Sequence, residues 1–460
     1  MHTLARKITV GSLIKFALPT VFMLVFASLY TIIDGIFISN IIGEDGLSAL
    51  NIVFPVFNVI MGIATMFASG GSAIVAKKMG QGKKDEANRN FTFLFLVLMA
   101  LGVLVTAGIL IFINPLLSFL GIVDPLYAYG HDYLFVVGMF TLVTMAKFYT
   151  DFFLVTAGKA NLALLNSVIG GVTNIGLDYL FMGPLNMGMA GAAYATEIAM
   201  IVPIILSIIF FASKKLSVSF AKPIPNIKLV LSACANGSSE MVVQISAGIS
   251  TFLFNLYMMQ YIGTTGVAAI TIVMYASFLL VSMLLGFSAG IAPLISFNYG
   301  QQNCEKLHKI VTYSYRMVAI FSVVSFIAAQ SLAIPITRFF APNSPELFDI
   351  TVYGFRIFSF AFLISGSNIL TSGLFTAFSN GLISALVSSF RSLIFFVIGI
   401  VTLPLLFDIT GIWLVVPAAE LITLLFSILF LYLYRNKYGY SKEKSRSYLE
   451  QTAAQAEESY

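Results

Sequence analysis

Charge is scarce in this chain of 460 residues. Asp, Glu, Lys and Arg together make up 10%, against about 25% in a soluble globular protein. Hydrophobic residues make up 59%, which excludes an ordinary soluble domain and points to a bilayer. Two cysteines, Cys234 and Cys304, cannot build a disulfide framework or a cysteine-based metal site. The three histidines, His2, His131 and His308, are scattered without ligand spacing. Also missing are a Gly-rich phosphate loop with its lysine and a nucleophile elbow, and no loop could hold an ATP-hydrolysing domain. Enzyme chemistry is therefore not expected. The formal net charge of +5 resides in loops, where it reports membrane orientation rather than nucleic-acid binding. The first apolar stretch runs longer than a signal-peptide core and reads as a spanning helix.

Long apolar runs are what the chain has in plenty. A crossing needs about 20 mostly apolar residues, and twelve stretches qualify: 14–40, 50–76, 91–114, 131–157, 162–184, 190–212, 229–260, 267–297, 311–334, 350–378, 383–406 and 411–434. Barrel strands would be about ten residues long with alternating polarity, so the expected fold class is an all-α polytopic membrane protein. Pro19, Pro55, Pro203, Pro293, Pro404 and Pro417 fall inside spans and read as kinks or hinges, which neighbouring helices make tolerable. Every lysine and arginine except Lys147, Arg338, Arg356 and Arg391 falls at one set of span ends. The opposite loops, such as "IIGEDG", "MGPLNMG" and "QYIGTTG", carry none, and only Arg338 lies on that side. The positive-inside rule then predicts a cell-membrane protein with both termini in the cytoplasm.

Shifted by 220 residues, the sequence aligns with itself without a gap. "IGEDGLSALNIV" (42–53) falls on "IGTTGVAAITIV" (262–273), "GQGKKDEA" (80–87) on "GQQNCEKL" (300–307), and "TAGKANLA" (156–163) on "TAFSNGLI" (376–383). Two lobes follow: residues 1–213 with spans 1–6, and 229–434 with spans 7–12. A cytoplasmic linker, 214–228, joins them, and a polar cytoplasmic tail, 435–460, closes the chain. Six spans return each half to the side it started from, so the halves are parallel repeats about an axis along the membrane normal. Two bundles facing a central cleft suit alternating access.

An ionisable residue at mid-membrane costs about 2.5–3.5 kcal/mol on insertion scales and marks ion or substrate pathways. Asp34, Asp178 and Thr196 each lie six residues from the outer end of their spans, about 9 Å deep at the helical rise. Asn174 stands one turn from Asp178 on the same helix face. Hard cations prefer such oxygen-rich clusters, and two adjacent carboxylates can share a proton. Adding 220 turns the four into Phe254, Ile394, Ile398 and Val416, so the scaffold does not require them. The four are the expected Na⁺ or H⁺ site; the bland reading is buried hydrogen bonding. Lys147 and Asp151, four apart in span 4, read as an ion pair. Glu240 in span 7 is a candidate for a cationic substrate, and Tyr30 and Asn58 are further cavity candidates against a core-packing role. Glu197 points about 100° away from Thr196. Whether Arg391 and Glu420 pair is left open.

"FALPTVFMLVFASLYTIIDGIFIS" followed by "GEDGLSALNIVFPV", the doubled "GQGKKDEA" loop, and "NIGLDYLFM…GMAGAAYATEIA" together resemble the multidrug and toxic compound extrusion (MATE) family, in particular a MepA-like branch. The resemblance covers essentially the whole chain up to Tyr434. It implies twelve helices in two six-helix lobes and export of drugs, usually organic cations, in exchange for Na⁺ or H⁺. It also implies a cation site in the first lobe at Asp34, Asn174, Asp178 and Thr196. Other branches place acidic residues in spans 7 and 10; span 10 here has no midplane carboxylate, so a second-lobe cation site is not expected. No cofactor beyond the coupling ion is expected. The expected partners are small cationic amphipathic substrates and membrane lipid, with no nucleic acid, around a monomer. A lipid-linked glycan flippase of the same superfamily and a non-transporting receptor or assembly protein are the alternatives.

Overall fold

With almost no charge to hydrate and no water in the hydrocarbon core, each segment must satisfy its backbone groups internally, and the helix does so within one segment. The computed structural model describes residues 8–213, 215–340 and 344–458 (backbone alone for 452–458), so the basic residues Arg6, Lys7 and Lys214 lie outside it. The described residues are helical and turn, without strands. In order they are α1 (Val10–Phe37, prolonged by a π turn, Ile38–Ile42), α2 (Glu44–Gly80), α3 (Lys84–Ile111), a short α4 (Ile113–Phe119), α5 (Leu126–Thr156), α6 (Ala160–Met182) and α7 (Gly188–Ala212). The second half has α8 (Ile227–Tyr261), α9 (Thr264–Gly300), α10 (Cys304–Phe340), α11 (Pro345–Phe358), α12 (Phe362–Ala377), α13 (Gly381–Ser389), α14 (Phe395–Tyr434) and the terminal α15 (Lys442–Glu458).

Among the described residues, eleven continuous helical segments are long and apolar enough to cross a bilayer, and twelve crossings result because one of them turns back. The segment 381–434 has 54 residues, over twice what a crossing needs. Within it Asp408 adopts φ 48°, and the chain folds so tightly there that a Cβ on Gly411 would strike the Leu403 carbonyl. Spans 11 and 12 meet at that point. The helices also outrun the apolar windows at the basic face: α3 begins at Lys84 and α10 at Cys304, seven residues before the windows at 91 and 311. Proline does not interrupt them. Helices α1, α2, α7 and α9 run through Pro19, Pro55, Pro203 and Pro293.

The 220-residue offset holds in the backbone. Helices α2 and α9 begin and end at corresponding residues, Glu44 with Thr264 and Gly80 with Gly300. Gly43 and Gly263, which enter them, both take positive φ, 105° and 88°. Gly82 and its counterpart Gln302 do the same after them, at 77° and 56°; the second half holds this turn with a residue for which the left-handed region is strained. The lobes meet where α1 and α2 pack on α9 and α8. Glycines allow backbone-to-backbone approach at this seam. A Cβ on Gly70 would strike the Ala233 carbonyl, and one on Gly237 the Met66 carbonyl. At the basic face the contact is reciprocal: a Cβ on Gly80 would strike the Phe297 carbonyl, and one on Gly300 the Lys77 carbonyl. Each of these is the other's counterpart at 220, so the pseudo-two-fold axis passes between them. Higher up, the hydroxyls of Ser28 and Ser282 hydrogen-bond across the seam at 2.6 Å.

Candidate functional site

Helices α1, α6 and α7 pack side by side in the first lobe and bring the four predicted residues together. Asp34 and Asp178 are buried and face each other closely enough to hydrogen-bond through a shared proton. The Asn174 amide donates to the Thr196 hydroxyl at 3.3 Å. That bond fixes the amide's orientation and turns its carbonyl oxygen away from Thr196. Four oxygens, Oδ1 of Asp34, Oδ1 of Asn174 and both of Asp178, are buried without a hydrogen-bond donor. Buried acceptors normally have partners, and a cluster of acceptors alone is what a small hard cation or a shared proton satisfies. Tyr133 of α5, also buried, lies within electrostatic reach of Asp34, Asp178 and Glu197; no spacing along the chain marks it.

Beside the cluster runs a crevice lined by Tyr30, Lys147, Asn174, Thr196, Met200 and Pro203, among others. Its free volume is about 10 Å³, the least that holds one water. Of the three cavity candidates, Tyr30 borders this crevice. Asn58 is buried on α2 at the lobe seam, where its amide nitrogen is 3.7 Å from the position of a Cβ on Gly248. Glu240 is half-buried on α8, within electrostatic reach of Arg391.

Lys147, Asp151, Glu197, Arg391 and Glu420, also inside spans, have partners. Lys147 reaches Asp151 at 2.8 Å, the ion pair expected from their spacing. Glu197 is fully buried between α5 and α7 and accepts from the Thr144 hydroxyl at 3.0 and 2.8 Å on its two oxygens. Arg391, in a π turn between α13 and α14, donates to Oε1 of Glu420 from Nε (3.1 Å) and Nη2 (2.8 Å). The Asn368 amide donates to Oε2 of Glu420 at 2.7 Å, and the Ser427 hydroxyl donates to Oδ1 of Asn368 at 2.7 Å. This closed network satisfies the second-lobe carboxylate in a way the first-lobe pair is not. Where the first lobe has Asp34, the second has Phe254, buried with its ring edge-on to Phe396 at 5.0 Å.

The sequence pattern of the MatE family matches residues 19–180 and again residues 241–401, one stretch in each half. The multidrug export protein MepA of Staphylococcus saprophyticus is 23% identical over 441 residues, covering 92% of this chain and 94% of its own. MepA of Staphylococcus aureus (strain bovine RF122 / ET3-1) is 22% identical over 440 residues, covering 93% and 94%. A MATE protein solved in complex with MaL6 superposes with a TM-score of 0.90 at 22% identity, over 95% of this chain and 99% of that one. An outward-facing multidrug resistance MATE family transporter of the MOP superfamily superposes with a TM-score of 0.88 at 22% identity, over 93% and 96%.

Proposed function

Since this chain belongs to the MatE family of multi-pass membrane transporters, and so is not an enzyme, we propose that it is a secondary-active multidrug efflux antiporter. It exports small organic compounds, chiefly cationic and amphipathic, and takes up Na⁺ or H⁺ in exchange by alternating access. The observation that carries this reading is the set of four donor-less oxygens on Asp34, Asn174 and Asp178, buried in one lobe and replaced by apolar residues in the other. The relatives' role in multidrug export supports the substrate class.

The residues present fit a small cation. Asp34 and Asp178 supply the charge, the Asn174 carbonyl a neutral oxygen, and the Thr196 hydroxyl holds the amide and lends its remaining lone pair. Lys147 does not cancel this charge, because Asp151 already holds it. With the cleft open outward a cation binds between α1, α6 and α7 and favours the state that releases drug; return inward releases the cation. Coupling needs the cluster to bind the ion more tightly in one state than in the other. Aromatic and Met side chains offer adaptable contacts to cationic drugs. No cofactor besides the coupling ion is involved. The protein acts as a monomer in the cell membrane, with lipid around its apolar exterior and both termini in the cytoplasm, the side of its basic face. The flippase alternative needs a cationic cavity, yet Lys147 and Arg391 are tied to Asp151 and Glu420.

Reconstitution in liposomes tests the proposal. Uptake of a fluorescent organic cation is followed under imposed Na⁺ or H⁺ gradients for the parent and Asp34→Asn. The parent is expected to respond to one gradient and the variant to lose that response. Transport indifferent to both gradients, or full coupling in the variant, would falsify it.

A further inference from the structure

The chain does not end as a free tail. After α14 the segment from Tyr434 folds back along the basic face. Tyr438 stacks flat on Phe378, with ring centroids 4.6 Å apart and planes within 3°, and Tyr440 stacks on the same ring at 5.6 Å. The Tyr440 hydroxyl donates to the Leu431 carbonyl at 2.6 Å, and its own carbonyl lies 2.8 Å from Nδ1 of His308 on α10. Ser441 and Ser445, one turn apart at the start of α15, are buried, whereas Lys442, Lys444 and Arg446 between and after them are exposed. One face of α15 is thus docked, and it packs on α10.

Two contacts carry this segment to the seam between the lobes. Tyr438 packs edge-on against Tyr299 at 5.6 Å, and the Lys77 ammonium of the other lobe sits over the same Tyr299 ring, 4.8 Å from its centroid. Further along, Tyr448 lines an open polar recess whose other walls are Gly80 and Gln81 from the first lobe and Gly300, Gln301, Gln302 and Asn303 from the second. Helix α15 therefore springs from the second lobe and reaches over the junction at which Gly80 and Gly300 touch.

We propose that residues 435–450 form a strap that holds the cytoplasmic gate closed. The inference rests on the alternating-access reading above. Opening inward has to part Gly80 from Gly300 and Lys77 from Tyr299. Parting them removes the first-lobe wall, Gly80 and Gln81, of the recess that Tyr448 lines, while Tyr438 keeps its ring partners Tyr299 and Phe378, which belong to its own lobe. The contact of Tyr448 across the junction therefore belongs to the closed gate and is lost in the open one, which biases the equilibrium toward the closed state.

Pulsed electron spin resonance on the full-length protein in liposomes tests this, with spin labels at Lys83→Cys and Gln302→Cys in a background carrying Cys234→Ser and Cys304→Ser. Three chains are compared: the parent, one ended after Tyr440, and Tyr448→Ala. The short distance is expected to dominate in the parent. In the shortened chain the long-to-short ratio rises about tenfold, the factor expected from losing the contacts of one partly buried tyrosine, and Tyr448→Ala shifts it in the same direction. Equal distance distributions in the parent and both variants, with the long distance populated in each, would overturn the strap. If the shortened chain does not fold, Tyr448→Ala alone decides. A distance that stays short in all three under every ion and substrate gradient contradicts alternating access itself, which separates the two failures.

Discussion

At the residue scale, the two lobes treat a buried carboxylate in opposite ways. Glu420 has both oxygens engaged, by Arg391 and Asn368, while Asp178 has neither engaged by a donor. A buried ion pair is damaged more by losing one partner than by losing both. Arg391→Met should therefore lower the thermal midpoint in detergent, and adding Glu420→Met should recover part of that loss, a coupling that a double-mutant cycle reads directly. The Phe254 site gives the mirror experiment. Phe254→Asp places a carboxylate where Phe254 and Phe396 now pack, forfeiting a ring worth about 3–5 kcal/mol and burying an unpaired charge. Its midpoint should fall well below that of Phe254→Leu.

Part of the site is legible in the amino-acid sequence alone. Asp34, Asn174, Asp178 and Thr196 stand out by depth and by turning apolar at the 220 offset, and the Lys147–Asp151 pair follows from i,i+4 spacing. In the network of Asn368, Arg391, Glu420 and Ser427, the two charges stand out but their pairing and the roles of Asn368 and Ser427 do not. Its members come from α12, the π turn and α14, and no periodicity within a helix encodes a partner on another. Thr144, which holds Glu197, and Tyr133 are hidden for the same reason.

At the element scale, the seam depends on glycine where two backbones touch. Gly80 and Gly300 each face a carbonyl of the opposite lobe, while Gly108, in the interior of α3, has open space around it. Gly80→Ala should push the ends of α2 and α9 apart and raise alkylation of a cysteine placed at Gln301. Gly108→Ala should leave both labelling and stability unchanged or slightly improved, since alanine favours the helix by about 1 kcal/mol over glycine. The number and order of membrane crossings follow from apolar runs alone. The true ends of the helices do not, because helices continue past the bilayer where charge interrupts the run, as α3 does from Lys84. The meeting of spans 11 and 12 at Asp408 falls between the apolar windows 383–406 and 411–434; what the sequence does not show is that helical structure runs almost unbroken through it. The counterpart of Asp408 in the first half is Gly188, also at positive φ, 59°.

At the scale of the whole molecule, duplication supplied two similar bundles, and the chemistry divided them. The first lobe keeps acceptors without donors; the second fills the same positions with Phe254, Ile394, Ile398 and Val416. In the proposed antiport cycle, lobes that differ in this way bind an ion on one side of the cleft while the seam of α1, α2, α8 and α9 rocks about its glycine contacts. Under the proposed function, Asp34 and Asp178 bind the coupling cation together. Equilibrium binding to the purified protein tests it most directly: uptake of radioactive Na⁺, and proton release into weakly buffered detergent solution when an organic cation is added. The parent should bind Na⁺ or release protons, Asp34→Asn and Asp178→Asn should each abolish that signal, and Phe254→Leu should retain it. An undiminished signal in either aspartate variant would contradict the account.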